Sequence, residues 1–400
     1  MKLFLILCCT LISLAAAGQF MLKGKIVAAD TKRPLAAASV FLSNTSTGTL
    51  TDSAGVFSLY IPAGKYDLVA SFVGYETYAQ TLSEKTGGEL VITLRPKVEV
   101  FDDVVVGGYE KDGWKRWGSF FLRSFIGTSD WAADCTIKNY EVIKFRELKK
   151  EGKLLAIATG QLVIENKALG YTIQYQLEDF EFDFKSGLLL YVGYPLFVPM
   201  DGNPARLNRW NKRREEVYEG SMMQFMRALY RNRIREEGYE VRRMVKNPNE
   251  EKLRVRELYR QRVQNNSNPS IPLSANFPDS AGYYREVLRQ PDEYTTFSPY
   301  TLPGDSIAYA ADSVTAGLQF GDYLHITYTR AAPPDSYSRL SSGNNRMASQ
   351  LTLANGQPIQ IQQSGNFYPP TNLISAGYWG WSEKVANMLP FDYVPPVKRK

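Results

Sequence analysis

The stretch from Leu162 to about Tyr239 constrains this chain most, because two hydrophobic periods meet in it. In its first half Tyr171, Ile173, Tyr175 and Leu177 alternate with Thr172, Gln174 and Gln176, the two-residue period of a half-buried strand. After a kink, Phe180, Phe182 and Phe184 alternate with Asp179, Glu181 and Asp183. Lys185-Ser186-Gly187 makes a turn, and Leu188 to Val192 returns. The three runs predict an antiparallel meander that stops at Gly193 and Pro195, since proline cannot donate to a ladder. From Ala205 the period changes. Leu207, Trp210, Val217, Met222, Phe225, Met226 and Leu229 recur at three- and four-residue steps, opposite Arg209, Lys212, Arg213, Glu216, Glu219, Arg227, Arg231 and Arg235. This predicts one long charged helix of about thirty residues, roughly 45 Å. Gly220 is where it would break and Gly238 where it would stop.

Residues 20 to 96 read differently. LKGKIVAAD, ASVFLSN, GTLTD, GVFSLYI, KYDLVASFV, YETYAQTL and ELVITLRP are short strand-like runs at spacings near ten residues, separated by turn residues. That pattern predicts a seven-stranded β-sandwich. Its landmarks are Gly24, Pro34, Thr51, Asp52, Gly55, Phe57, Pro62, Gly64, Tyr66, Gly74 and Tyr75. With them the segment resembles the carboxypeptidase regulatory-like domain, a transthyretin-like sandwich. The resemblance covers about a fifth of the chain. It implies a fold and a gram-negative envelope setting, since such domains open many envelope proteins, including TonB-dependent outer-membrane receptors for glycans. It implies no peptidase activity. Phe101 to Tyr109, FDDVVVGGY, is similar to the short segment that follows the domain in those receptors. The roughly three hundred residues after it lack the serial ten-residue alternating strands of a receptor barrel.

Residues 1–17 read as a secretory signal: Lys2, the apolar core LFLILCCTLISL, and Ala15-Ala16-Ala17 as a cleavage site. Leu7, before Cys8, is too large for lipoprotein processing. With the signal removed Cys135 is the one thiol left, so no internal disulfide can form, and a buried, inert cysteine is expected. No later run is long and apolar enough to span a membrane. A net charge of +6 over 400 residues, with no like-charge block longer than Lys212-Arg213-Arg214, gives no reason to expect nucleic acid as a partner.

The remaining chain predicts a mainly β, α+β architecture. An N-terminal seven-stranded β-sandwich (20–96) is followed by a linker and short helix (97–130), then an antiparallel-sheet domain of unknown function (131–394) with one long and several short helices, and a frayed tail (395–400). Trp114 to Ile126 carries Trp117, Phe120, Phe121, Phe125 and Ile126 on one helical stripe. Asn247-Pro248-Asn249-Glu250 reads as a helix start capped by Asn247, running to about Gln264. Residues 265 to 307 read as a long surface loop with one or two helical turns near Tyr283 to Leu288. SQLTLANGQPIQIQ predicts a hairpin turning at Asn355-Gly356. GYWGWSEKVANMLPFDY predicts a short helix capped by Ser382 with Glu383 in its first turn.

The sequence excludes more chemistry than it assigns. His325 is the sole histidine, and a zinc carboxypeptidase needs at least two with an acid, so the chain is not such an enzyme. His325 alternates within a strand-like run, which favours a structural role. G-x-S-x-G, Walker-type, C-x-x-C and dinucleotide motifs are absent, and no catalytic residue, metal ligand set or cofactor is expected. Two groups remain as candidates for ligand contact. Asp179, Glu181 and Asp183 project from one strand face about 7 Å apart; carboxylates at about 5 to 9 Å serve glycosidases, and three can hold calcium. Such a triplet is more often simply the wet face of a strand. Tyr378, Trp379 and Trp381 are the second group, a sugar platform or a piece of core.

The expectation is therefore a non-enzymatic exported protein, in the periplasm or associated with the outer membrane or cell surface. Its sandwich would dock or space, and its C-terminal region would bind an envelope protein or a surface glycan. The alternative is an envelope hydrolase acting on glycan or peptide through carboxylates; a weaker third reading is a calcium-dependent adhesion module.

Overall fold

The computed structural model describes residues 20–82, 89–97, 108–265, 281–341 and 346–396. The proposed signal, Phe101 to Gly107 of the FDDVVVGGY segment, and the last four residues lie outside the described residues. The chain is mainly β with α+β character.

Seven strands build the sandwich: β1 (Phe20–Ala28), β2 (Ser39–Leu42), β3 (Gly48–Leu50), β4 (Val56–Ile61), β5 (Tyr66–Ser71), β6 (Tyr78–Leu82) and β7 (Glu89–Leu94). They form two sheets, β4-β1-β7 and β3-β2-β5-β6. Strict alternation drives the packing. In β4 Phe57, Leu59 and Ile61 point inward and Val56, Ser58 and Tyr60 outward. Gly24 is required where Phe57 crosses β1, since a Cβ there would lie 2.6 Å from the ring. Thr51 and Asp52 make the turn between β3 and β4. The Thr51 hydroxyl accepts from Ala38 N and donates to Leu35 O, and Asp52 accepts from Ala54 N and Val56 N.

Helix α1 (Gly113–Phe125) then leads into a third, central sheet: β8 (Cys135–Ile137), β9 (Ile143–Leu148), β10 (Lys153–Ala158), β11 (Leu162–Asn166), β12 (Tyr171–Asp183) and β13 (Leu189–Pro199). Strands β10 and β11 follow one another along a single edge of β12, while β13 pairs its other edge. The sheet is thus a meander of long, bent strands. The predicted kink in β12 is a β-bulge between Leu177 and Asp179. Helix α1 buries Phe121 and Phe125 against Phe145, Tyr175 and Phe180.

Gly193 and Pro195 do not end the returning strand, which runs on to Pro199. Gly193 is where the Tyr175 ring lies across β13; a Cβ there would sit 2.3 Å from it. In an antiparallel strand the N–H and C=O of one residue face the same edge. Pro195 O accepts from Asn44 N, on the side away from β12, so its missing N–H removes no ladder bond. That outer edge is where the sandwich sits. Thr45 bridges Leu196 in parallel, Phe197 N donates to Thr45 O, and Phe41 and Val69 pack on Leu196. The Asp392 carboxylate accepts from Ser46 N and Ser46 Oγ, and Phe391 N donates to Asn44 O, so a C-terminal segment holds the same turn from the other side.

The predicted long helix is two helices, α2 (Pro204–Tyr218) and α3 (Met222–Tyr230), broken at Gly220 with φ +74°. Each half has its own cap: Asn203 accepts from Arg206 N, and Ser221 from Gln224 N. The apolar stripe also divides. Leu207 is exposed, whereas Trp210 is buried and donates from Nε1 to Lys167 O. On the expected polar face, Arg227 is buried, its guanidinium answered by Ser364 O and Phe391 O.

Next come β14 (Tyr239–Pro248), α4 (Glu250–Asn265), α5 (Ala281–Arg289), β15 (Glu293–Phe297), β16 (Ala308–Ala310), β17 (Thr315–Leu318), β18 (Tyr323–Tyr328), α6 (Asp335–Ser338), β19 (Met347–Leu353), β20 (Ile359–Gln362), β21 (Phe367–Tyr368), β22 (Leu373–Gly377) and α7 (Tyr378–Ser382). Two sheets result, β15-β14-β18-β19-β22 and β16-β17-β20-β21, sharing a core with α3 around Phe225, Leu229, Tyr239, Leu351, Ile361 and Trp379. The cap of α4 is Asn249, which accepts from Lys252 N, while Asn247 and Pro248 complete β14. Residues 293–297, expected as loop, form edge strand β15. Asn355 and Gly356 take the positive φ of a tight turn, yet β19 and β20 do not pair with each other. The turn passes the chain from one sheet to the other.

Candidate functional site

A cavity of about 370 Å³ opens where the ends of four segments meet. The loop after α1 brings Asp130 and Trp131; α2 and the break behind it bring Glu216 and Glu219; the Ala331–Pro334 loop closes one side; α7 and the residues after it bring Tyr378, Trp381, Ser382 and Glu383. The helix break at Gly220 makes the corner possible. A Cβ on Gly220 would lie 2.4 Å from the Met347 methyl, and Met347 is itself a wall of the cavity.

One side is aromatic. Tyr378 and Trp381 line it with ring centroids 5.7 Å apart, Tyr337 outside the lining packs on both at 5.1 and 5.2 Å, and Trp381 Nε1 donates to Thr128 Oγ1 at 3.0 Å. Trp131 carries the Arg213 guanidinium over its face at 4.8 Å. The floor is polar. Ser129 Oγ donates to Asn387 Oδ1 at 2.6 Å. Ser382 is 5 % exposed, and its hydroxyl has no hydrogen-bond partner among the described residues, a costly state for a buried group.

Glu383 is the most perturbed acid of the site. Its Oε1 accepts from Met222 N at 2.9 Å, at the N-terminus of α3, where a carboxylate suits the helix dipole. Burial outweighs this and pushes the carboxyl up to about 7, although the residue keeps some surface toward the cavity. Burial, with Glu383 nearby, also holds the Tyr378 phenol well above its usual range. A carboxyl poised near neutrality beside aromatic walls can donate a hydrogen bond or a proton at pH 7.

The predicted contact residues fall in three places. Tyr378 and Trp381 line the cavity. Trp379, their neighbour, is 1 % exposed; it packs on Phe225 and donates from Nε1 to Gly220 O, so it shapes the corner from behind. Asp179, Glu181 and Asp183 lie on β12, outside the residues that line it. Asp179 is exposed beside the bulge. Glu181 pairs with Lys153 at 2.7 Å. Asp183 accepts from Ser186 N and Lys185 N of its own turn, and those bonds lower its pKa. Among the described residues no group of three or more His, Cys, Asp or Glu is placed to hold a metal ion.

Ser382 ends α7 instead of capping a helix, and Glu383 caps α3 of a distant segment instead of its own. Asp130 and Trp131 carried no periodic signal, and Glu216 and Glu219 read as an ordinary charged helix face. His325 sits half-buried on β18 against Phe297, and burial with Arg242 nearby lowers its pKa. Cys135 is buried, its thiol pushed up to about 12, which leaves it inert at neutral pH.

Comparison with known proteins identifies the first region. Residues 22–106 match the model of the CarboxypepD_reg-like domain. The chain is 36 % identical over 95 residues to the TonB-dependent receptor SusC of Bacteroides thetaiotaomicron, covering 24 % of this chain and 9 % of that protein. It is also 36 % identical over 76 residues to a TonB-dependent receptor of Formosa agariphila, covering 19 % of this chain and 7 % of the receptor. The chain therefore spans less than a tenth of the length of these curated relatives. Among solved structures a 9R-lipoxygenase from Cyanothece PCC8801 is matched at 9 % identity with a TM-score of 0.15, over 53 % of this chain and 48 % of that one, a likeness that carries no argument.

Proposed function

We propose that this chain, which carries a carboxypeptidase regulatory-like domain at residues 22–106, is an exported protein of the bacterial envelope that binds a surface glycan. The domain and its likeness to segments of TonB-dependent receptors support the compartment. The sandwich acts as a docking module, and the cavity behind α2 and α3 takes the glycan. One observation carries this reading. Tyr378 and Trp381 form an aromatic wall beside a buried hydroxyl, Ser382 Oγ, that lacks a partner. Apolar sugar faces lie on aromatic rings, and a sugar hydroxyl would satisfy Ser382.

The test is a glycan array followed by calorimetry on the chain without its first seventeen residues. Trp381→Ala should weaken binding roughly tenfold, the loss of about 1.4 kcal/mol. Equal affinity in the variant and the parent would refute the assignment of the cavity.

The acidity of Glu383 favours a second reading, a carboxylate-dependent glycan hydrolase with Glu383 as the proton donor. Release of new reducing ends by the parent and not by Glu383→Gln would establish it. Binding without turnover in both would leave the first reading standing.

A further inference from the structure

At the end of the central sheet, away from the residues of the cavity, two hairpin turns meet. The β9–β10 turn presents Lys149 and Lys150, and the β12–β13 turn presents Phe184, Lys185 and Leu188, all five exposed. The turns are tied together. Phe184 N donates to Gly152 O at 2.8 Å, and the Lys185 stem covers Gly152, where a Cβ would sit 3.1 Å from its Cε. Helix α1 lays Trp117 and Phe120 alongside, with ring centroids 5.9 and 5.6 Å from that of Phe184. Phe184 is 44 % and Leu188 47 % exposed, so the aromatic cluster reaches the surface.

The charges around it are unbalanced. Helix α1 adds Lys115, Arg116 and Arg123, with Asp112 at its N-cap as the adjoining acid. Glu110 and Glu147 answer Arg116 and Glu181 answers Lys153; at the tip itself Lys149, Lys150 and Lys185 outnumber the acids Glu151 and Asp183, the latter held ionised by N–H groups of its own turn. The result is an exposed aromatic and aliphatic tip inside a collar of cations. Protein interfaces are depleted in lysine, and here the turn cations are lysines. Aromatic and aliphatic groups flanked by lysines match a bilayer interface, where rings sit at headgroup depth and ammonium groups meet phosphates.

We propose that this end of the central sheet is a peripheral docking surface for a phospholipid bilayer with anionic headgroups. Phe184 and Leu188 enter the interface, and Lys149, Lys150 and Lys185 lie on the phosphates. No described helix is long and apolar enough to cross a membrane.

The test is co-sedimentation of the chain without its first seventeen residues, using vesicles of phosphatidylethanolamine with phosphatidylglycerol and vesicles of phosphatidylcholine alone. Binding to the anionic vesicles is expected, weakening with salt. Each Lys→Gln change at 149, 150 or 185 should lower affinity roughly fivefold. Phe184→Ser with Leu188→Ser should abolish binding, with a lowered urea midpoint because Phe184 also packs on Trp117 and Phe120; Leu188→Ser alone should weaken it, and should the pair fail to fold, that variant and the lysine series decide. No binding to anionic vesicles at low salt, or binding indifferent to the lysine series, overturns the proposal. A dimer in solution that the tip variants dissolve, without any vesicle binding, would overturn it in favour of a protein contact.

Discussion

The carboxylates of β12 and those of the cavity are the same residue types under opposite conditions. Asp179, Glu181 and Asp183 come from one strand, and solvent, Lys153 of the neighbouring strand and the following turn satisfy them. Asp130, Glu216, Glu219 and Glu383 come from three segments spread over more than two hundred residues of the chain. Among these, Glu383 is held by the backbone of another element and pushed toward neutrality. Acids spaced along one strand stay wet, because alternation turns them to solvent together. Of the acids gathered by tertiary packing, Asp130 and Glu216 stay exposed, whereas Glu383 loses water and its protonation becomes a property of the fold.

The contrast can be broken hardest at the frame of the cavity. Trp379→Ala should cost about 3–5 kcal/mol in urea unfolding, the range for emptying a buried tryptophan site. A loss below 1 kcal/mol would return Trp379 to the surface group it was first placed in.

Next is Glu383. Its folded pKa of about 7 lies above the usual 4.5, so the unfolded chain releases the proton first as pH rises. Stability is fully present below 4.5 and falls as pH climbs toward 7. Glu383→Gln removes this dependence and should stabilise the chain at pH 8 by on the order of 2 kcal/mol. Urea midpoints at pH 5 and pH 8 check it, and parallel profiles for parent and variant would sink it.

Gly220→Ala should cost about 1–3 kcal/mol, because its φ of +74° and the Met347 methyl both resist a side chain. Smallest of all, Glu181→Gln should leave the urea midpoint and any glycan affinity where they are, since an exposed ion pair contributes little. A loss of binding there would move the site to β12 and reverse the comparison.

These regions also differ in how much of them the sequence reveals. The sandwich strands, the β12 alternation and the α1 stripe are local periods, and each folds as its residues dictate. Local turn chemistry was right in kind but not in consequence. Asn355-Gly356 does turn, yet its flanking strands find partners in two different sheets. Pro195 reads as a stop unless the edge it faces is known. Tyr378 and Trp381 stand out as aromatics, but Trp379 between them turns inward, because the single turn of α7 divides its three aromatic positions between core and cavity. Glu383 reads only as a first-turn acid of its own helix, for its true partner Met222 is a hundred and sixty-one residues away.

The seating of the 43–47 turn on β13 has a consequence for the chain's solubility. An edge strand of eleven residues offers free backbone groups to any passing strand. Here Asn44 and Thr45 occupy the middle of that edge, and Asp392 and Phe391 lock them in place. The sandwich is thus a stopper as well as an attachment. A chain beginning at residue 108 would bare that seam and should self-associate through it, whereas the intact chain keeps it closed.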